Sequence, residues 1–162
     1  MPGSVTHALR EVKGLQKGRT EAKERPPVPP VADAIVDRTV EILPITLAAM
    51  VQFQRLTGCR PEDVCRARPC DIDRTGDVWL YRPCEHKMEH KSEVRIVFIG
   101  PKCQAILTPY LFGGDAPCFK PARAKQYTSR SYRAALHRRI DIANRVIESE
   151  SDKIPKWNPN QL

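Results

Sequence analysis

At 162 residues the chain has room for one domain with a modest core and is cramped for two. Hydrophobic residues make up 41% of it, which suits a folded protein, and no signal-peptide pattern or membrane-spanning apolar run is present, so a membrane partner is not expected. The formal charge of +8 points to an anionic partner such as nucleic acid, although charge alone fits a merely basic soluble protein as well.

The charge is unevenly spread. Between Phe119 and Arg145 stand Lys120, Arg123, Lys125, Arg130, Arg133, Arg138, Arg139 and Arg145 against a single acid, Asp141. A solvated face is the ordinary meaning of a charge run, but one so lopsided is better explained by phosphate contact. The six cysteines (59, 65, 70, 84, 103 and 118) contain no CxxC pair, so zinc is not expected. Isolated thiols without an export signal suggest a reducing compartment, the cytoplasm.

In chain order, residues 1–32 read as a helix remnant followed by a linker. Ala8, Leu9, Val12 and Leu15 share a face, and Pro26-Pro27-Val28-Pro29-Pro30 cannot hold helix because proline lacks the N–H donor. The folded part, 33–162, is expected to begin near Asp33, with Asp33 or Asp37 as a helix cap. Leu43, Leu47, Met50 and Val51 then follow at helical spacing through Leu56. Thr57-Gly58 ends that helix, and a short one runs from Pro61 to about Ala67. Asp73–Asp77 is a turn, Val78–Tyr81 a strand, Glu85–Glu93 a polar connection, and Val94–Ile99 a second strand ended by Gly100-Pro101. Lys102–Leu111 reads as a helix with Ile106, Leu107 and Tyr110 inward. Thr128 or Ser129 caps a long helix through Tyr132, Leu136, Ile140 and Val146, and residues 154–160 are extended.

Thr57-Gly58-Cys59-Arg60-Pro61-Glu62-Asp63-Val64 resembles the first signature box of the tyrosine recombinases (phage-integrase family), T-G-x-R-x-x-E/D plus an apolar residue. The order that follows is also similar. A strand near Trp79 precedes a polar hairpin with a lysine, and Arg95-Ile96-Val97-Phe98-Ile99-Gly100 resembles the family's R-x-V-P-L/I strand. Trp157–Leu162 looks like the lead-in to an H-x-L-R-H box. The resemblance covers about residues 35–162.

It implies an α+β, mainly α fold: the first part of a catalytic domain, with a small antiparallel β-hairpin or three-stranded sheet at one edge. In the family a tyrosine attacks a DNA phosphodiester to give a 3′-phosphotyrosine, without metal or cofactor. Arginines hold the phosphoryl oxygens and a hairpin lysine protonates the leaving oxygen. Carried over, Arg60 is the first arginine, whose planar fork suits phosphate. Asp63 is the acidic position that orients it, and Lys87 is the hairpin lysine, with Lys91 as its neighbouring candidate. Asn160 falls where the family has a histidine; asparagine hydrogen-bonds phosphate but cannot transfer a proton. Arg123, Lys125, Arg130, Arg133 and Arg138, with Lys91, are expected on the DNA backbone, where they carry no sequence information.

The second arginine and the nucleophile match nothing up to Leu162, and Tyr81, Tyr110, Tyr127 and Tyr132 all precede that position. The expectation is therefore a DNA-binding recombinase piece, inactive alone, that in the full family assembles as an oligomer on double-stranded DNA. The alternative is a non-catalytic DNA-binding protein derived from one. Local readings compete with each role: Arg60 as a surface helix-end residue, Asp63 as a first-turn acid, Lys87 as a solvated charge, His86 and His90 as solvated rather than metal-binding, and Trp79 as core.

Overall fold

The computed structural model describes residues 27–83, 95–112 and 114–162. The helix remnant and the start of the proline-rich segment, through Pro26, lie outside the described residues, as do Lys87, Lys91, His86 and His90.

Proline shapes the first two helices. α1 (Asp33–Ile42) and α2 (Ile45–Thr57) are separate elements, because Leu43 turns extended and Pro44 restarts the chain. The single helix implied by apolar spacing across 43–56 is thus corrected to a broken pair. Neither Asp33 nor Asp37 caps α1; Ala32 occupies that position without a side-chain bond. Both aspartates instead receive Arg55 of α2, at 2.8 and 2.6 Å, and this surface clamp sets α1 against α2.

α2 ends as expected at Gly58, which adopts the left-handed conformation (φ +62°) and donates its N–H to Gln54 O at 2.8 Å. α3 (Pro61–Arg66) follows, with proline in the first turn. A 3₁₀ turn at Pro69–Asp71 leads into β1 (Ile72–Asp73), which pairs antiparallel with β2 (Trp79–Tyr81), and β2 pairs antiparallel with β3 (Val97–Ile99). The register sets Ile72 opposite Tyr81 and Tyr81 opposite Val97, so one face of the sheet turns these residues inward. The outer face carries Leu80 and the exposed Phe98 side by side. Trp79 is only half-buried, at the margin of the core.

α4 (Pro101–Leu107) buries Cys103 and Leu107, while Ile106 is half-buried; the helix passes at Thr108–Tyr110 into a 3₁₀ turn instead of running on to Leu111. α5 (Ser129–Asn144) is the longest element. Thr128 caps it: its Oγ1 accepts the Ser131 N–H at 3.1 Å, and Ser131 Oγ accepts the Thr128 N–H at 2.8 Å. Tyr132, Leu136 and Ile140 point inward at helical spacing, whereas Val146 lies past the helix end and is exposed.

α2 is the hub, packing against α1, α3, α4, α5 and β3. Phe53 projects from it onto Phe119 (centroids 5.9 Å, edge-on) and Tyr81 (6.5 Å). The described residues thus form a mainly helical body with a small three-stranded antiparallel sheet. No helix among them is long and apolar enough to cross a membrane.

The C-terminal stretch was expected to be extended. It is, up to a 3₁₀ turn at Pro159–Gln161, but it is a strap and not a free end. Ile154, Trp157 and Pro159 are buried, and Trp157 donates its indole N–H to Thr39 Oγ1 of α1 at 3.0 Å. His137 Nε2 donates to Trp157 O at 2.9 Å, and Gln54 Nε2 donates to Pro159 O at 2.6 Å. Asn144 closes the upper end by exchanging two bonds with the Ile154 backbone, at 2.8 and 2.9 Å. The strap also holds the extended segment before α1, since Val31 N–H reaches Gln161 O and Gln161 Nε2 reaches Pro29 O, each at 3.0 Å.

Candidate nucleic-acid interface

Arg60 owes its place to its neighbours. Gly58 turns the chain sharply out of α2, Pro61 fixes the first turn of α3, and Arg60 is the extended residue between, at the N-cap. Its side chain is exposed, while Cys59 before it is buried. Burial pushes the Cys59 thiol up to about 12, so it is packing and not a nucleophile.

Asp63 is buried, with its side chain 7% exposed, yet it does not meet the Arg60 guanidinium. Its Oδ2 accepts the Arg60 backbone N–H at 3.0 Å and lies 3.1 Å from Nη1 of Arg95. Asp63 thus bonds the backbone of Arg60 and not its guanidinium. A partner that sequence reading missed, Arg95, supplies the counter-charge.

α5 starts beside α3. Ser129 Oγ donates a short hydrogen bond to Glu62 Oε2, and Glu62 also accepts from Arg66 Nε at 2.9 Å. The Ser129 bond above all, aided by Arg66, holds the Glu62 carboxyl below the usual carboxylate range. The contact ties the start of α5 to the turn that carries Arg60.

Where α3, the start of α5 and the end of the strap meet, a cleft of about 370 Å³ opens. Pro61, Ser129, Arg130, Arg133, Asn158, Pro159 and Asn160 line it. Three residues singled out in the sequence, Arg130, Arg133 and Asn160, are therefore gathered at one place, and Arg60 precedes Pro61 of the lining in the chain. All four are exposed. Among the described residues none of the three arginines pairs with a carboxylate, in contrast to Arg55, Arg66, Arg68 and Arg95. Arg123, Lys125 and Arg138 are exposed but lie outside the cleft lining, and Lys87 and Lys91 fall outside the described residues.

Two unpaired guanidiniums and two side-chain amides thus line the cleft, groups that can donate hydrogen bonds to anionic oxygens. No tyrosine is among the residues that line it. Tyr81 and Tyr132 are fully buried, and burial raises both phenols above their ordinary value; Tyr127 is raised by burial as well. Among the described residues no cluster of His, Cys, Asp and Glu could hold a metal ion.

No protein-family model, curated protein or solved structure matches the chain.

Proposed function

We propose that the chain is the DNA-binding, first-arginine part of a tyrosine-type site-specific recombinase, gripping a duplex backbone phosphate and not cleaving DNA by itself. The observation that carries this reading is the juxtaposition of exposed, unpaired Arg130, Arg133 and Asn160 in one cleft beside the Arg60 turn. The T-G-x-R-x-x-D order supports it, with Gly58 in the left-handed turn and Asp63 fastened to the Arg60 backbone.

In this role Arg60, Arg130 and Arg133 are electrostatic and bidentate partners of phosphate oxygens, while Asn158 and Asn160 add neutral donors. Positioning and charge neutralisation follow from such groups; proton transfer does not, because neither an arginine nor an asparagine exchanges a proton near neutrality. The non-catalytic reading, a DNA-binding protein that competes for sites, shares this surface. The two differ in whether activity returns when the missing groups are supplied.

Salt titration of binding to a duplex tests the grip. Each phosphate contact contributes about 0.9 to the slope of log Kobs against log[salt]. Arg60→Ala, Arg130→Ala and Arg133→Ala are each expected to reduce it by roughly that amount. Slopes unchanged in all three variants would overturn the reading. On a nicked suicide substrate the chain alone is expected to give no covalent adduct, and an adduct would contradict the assignment of inactivity.

A further inference from the structure

We propose that Arg95 is a positioning residue for Arg60, acting through the buried carboxylate of Asp63. The consequence for DNA rests on the binding reading above, whereas the geometry does not.

Asp63 is held from the central strand of the sheet and from the segment leading into an edge strand. From β2, the Tyr81 hydroxyl donates to the Asp63 backbone carbonyl at 2.9 Å, at a fully buried position. From the residue two before β3, Arg95 brings Nη1 to 3.1 Å from Asp63 Oδ2. That Nη1 atom is itself buried and the contact lies off the line of a hydrogen bond, so attraction between charges holds the pair. The same Oδ2 accepts the Arg60 N–H.

Arg60 has no other side-chain tether among the described residues: its guanidinium is exposed and unpaired. Its backbone is aimed by the Gly58 turn and the Pro61 ring, its carbonyl accepts the Asp63 and Val64 N–H groups at 2.9 and 3.2 Å, and its N–H is held by the Asp63 carboxylate. Removing one partner of a buried ion pair leaves the other without compensation. With Arg95 gone, the cheapest relief for the Asp63 carboxylate is to turn toward water, which releases the Arg60 N–H. The sheet therefore steadies the backbone of an arginine with which it makes no hydrogen bond or ion pair among the described residues.

Arg95→Met keeps much of the side-chain stem but removes the charge, and Arg95→Lys keeps the charge. In amide NMR spectra of the full chain without DNA, Arg95→Met is expected to move the Arg60 amide proton upfield and quicken its exchange. Arg95→Lys is expected to restore both in part. An Arg60 amide unmoved by Arg95→Met would overturn the proposal.

Duplex binding supplies the second readout. Arg95→Met is expected to lower the salt slope by about 0.9, as Arg60→Ala does, and the double variant to lower it no further. Additive losses would mean that Arg95 contacts phosphate directly, which also overturns the positioning role. Should Arg95→Met fail to fold, Asp63→Asn weakens the same attraction from the other side and is expected to shift the Arg60 amide in the same direction. No shift there would be equally fatal. If the unaltered chain shows no salt-dependent DNA binding, the functional proposal falls while the amide measurement still decides the positioning role.

Discussion

Gly58 and the buried cysteines illustrate how single residues set conditions for the rest. Gly58 holds a φ of +62°, and a β-carbon placed there would meet nothing within 4 Å. The cost of a side chain is therefore conformational and not steric crowding. Gly58→Ala is expected to destabilise the fold by about 1–2 kcal/mol, with Gly58→Asn milder, as measured by urea unfolding. The thiols divide by burial. Cys59, Cys65, Cys103 and Cys118 are buried and their thiols pushed up to about 12, chiefly by desolvation, whereas Cys70 is exposed. Brief alkylation of the native chain, read by peptide mass spectrometry, is expected to mark Cys70 well before those four. Equal rates would contradict the packing.

At the level of elements, the α3–α5 junction has a pH signature. The Glu62 carboxyl is held below its ordinary value of 4.5, mainly by Ser129. A carboxyl depressed on folding contributes stability that is present above its unfolded value and lost as pH falls through the folded one. The contribution should thus be complete above about pH 4.5 and decline below it. Ser129→Ala is expected to shift the acid unfolding midpoint upward while leaving the neutral-pH ultraviolet dichroism unchanged. The strap depends on Trp157, which is 2% exposed and bonded to Thr39. Trp157→Ala is expected to cost about 3–5 kcal/mol in denaturant unfolding, a large share of an ordinary domain's stability.

These elements also mark how far local pattern carries. The Gly58 stop, the Pro61 start, the Thr128 cap and the Trp79–Tyr81 strand were legible, because each follows from conformational preferences of adjacent residues. The break at Leu43-Pro44 was masked by apolar spacing that continues across it, although Pro44 itself carried the signal. β1 has two residues, too few to show alternation, and exists through its pairing with β2. Arg95 was visible only as part of a strand motif, since its partner Asp63 is chosen by tertiary packing. The gathering of Arg130, Arg133 and Asn160 likewise depends on the strap returning across the start of α5.

Across the described residues, the basic side chains expected on DNA fall into two groups. Arg130 and Arg133 line the cleft, whereas Arg123, Lys125 and Arg138 stand exposed outside it. Backbone contacts position a protein on DNA without reading its sequence. Under the proposed DNA-binding function, replacing Arg123, Lys125 or Arg138 by alanine is therefore expected to weaken binding to unrelated duplexes by similar factors, as measured by competition at fixed salt. A loss confined to one duplex sequence would argue for base contact instead.

The strap has a kinetic consequence. Its bonds join residues 105 (Gln54 to Pro159), 118 (Trp157 to Thr39) and 132 (Gln161 to Pro29) positions apart. Closing such long loops costs entropy before any contact repays it, and a high mean separation of contacts slows folding. The helical hairpin of α1 and α2 can assemble from neighbouring residues, but the cleft is complete only after the last nine residues have searched for and found its floor. On refolding, closure of the cleft should therefore lag behind helix formation.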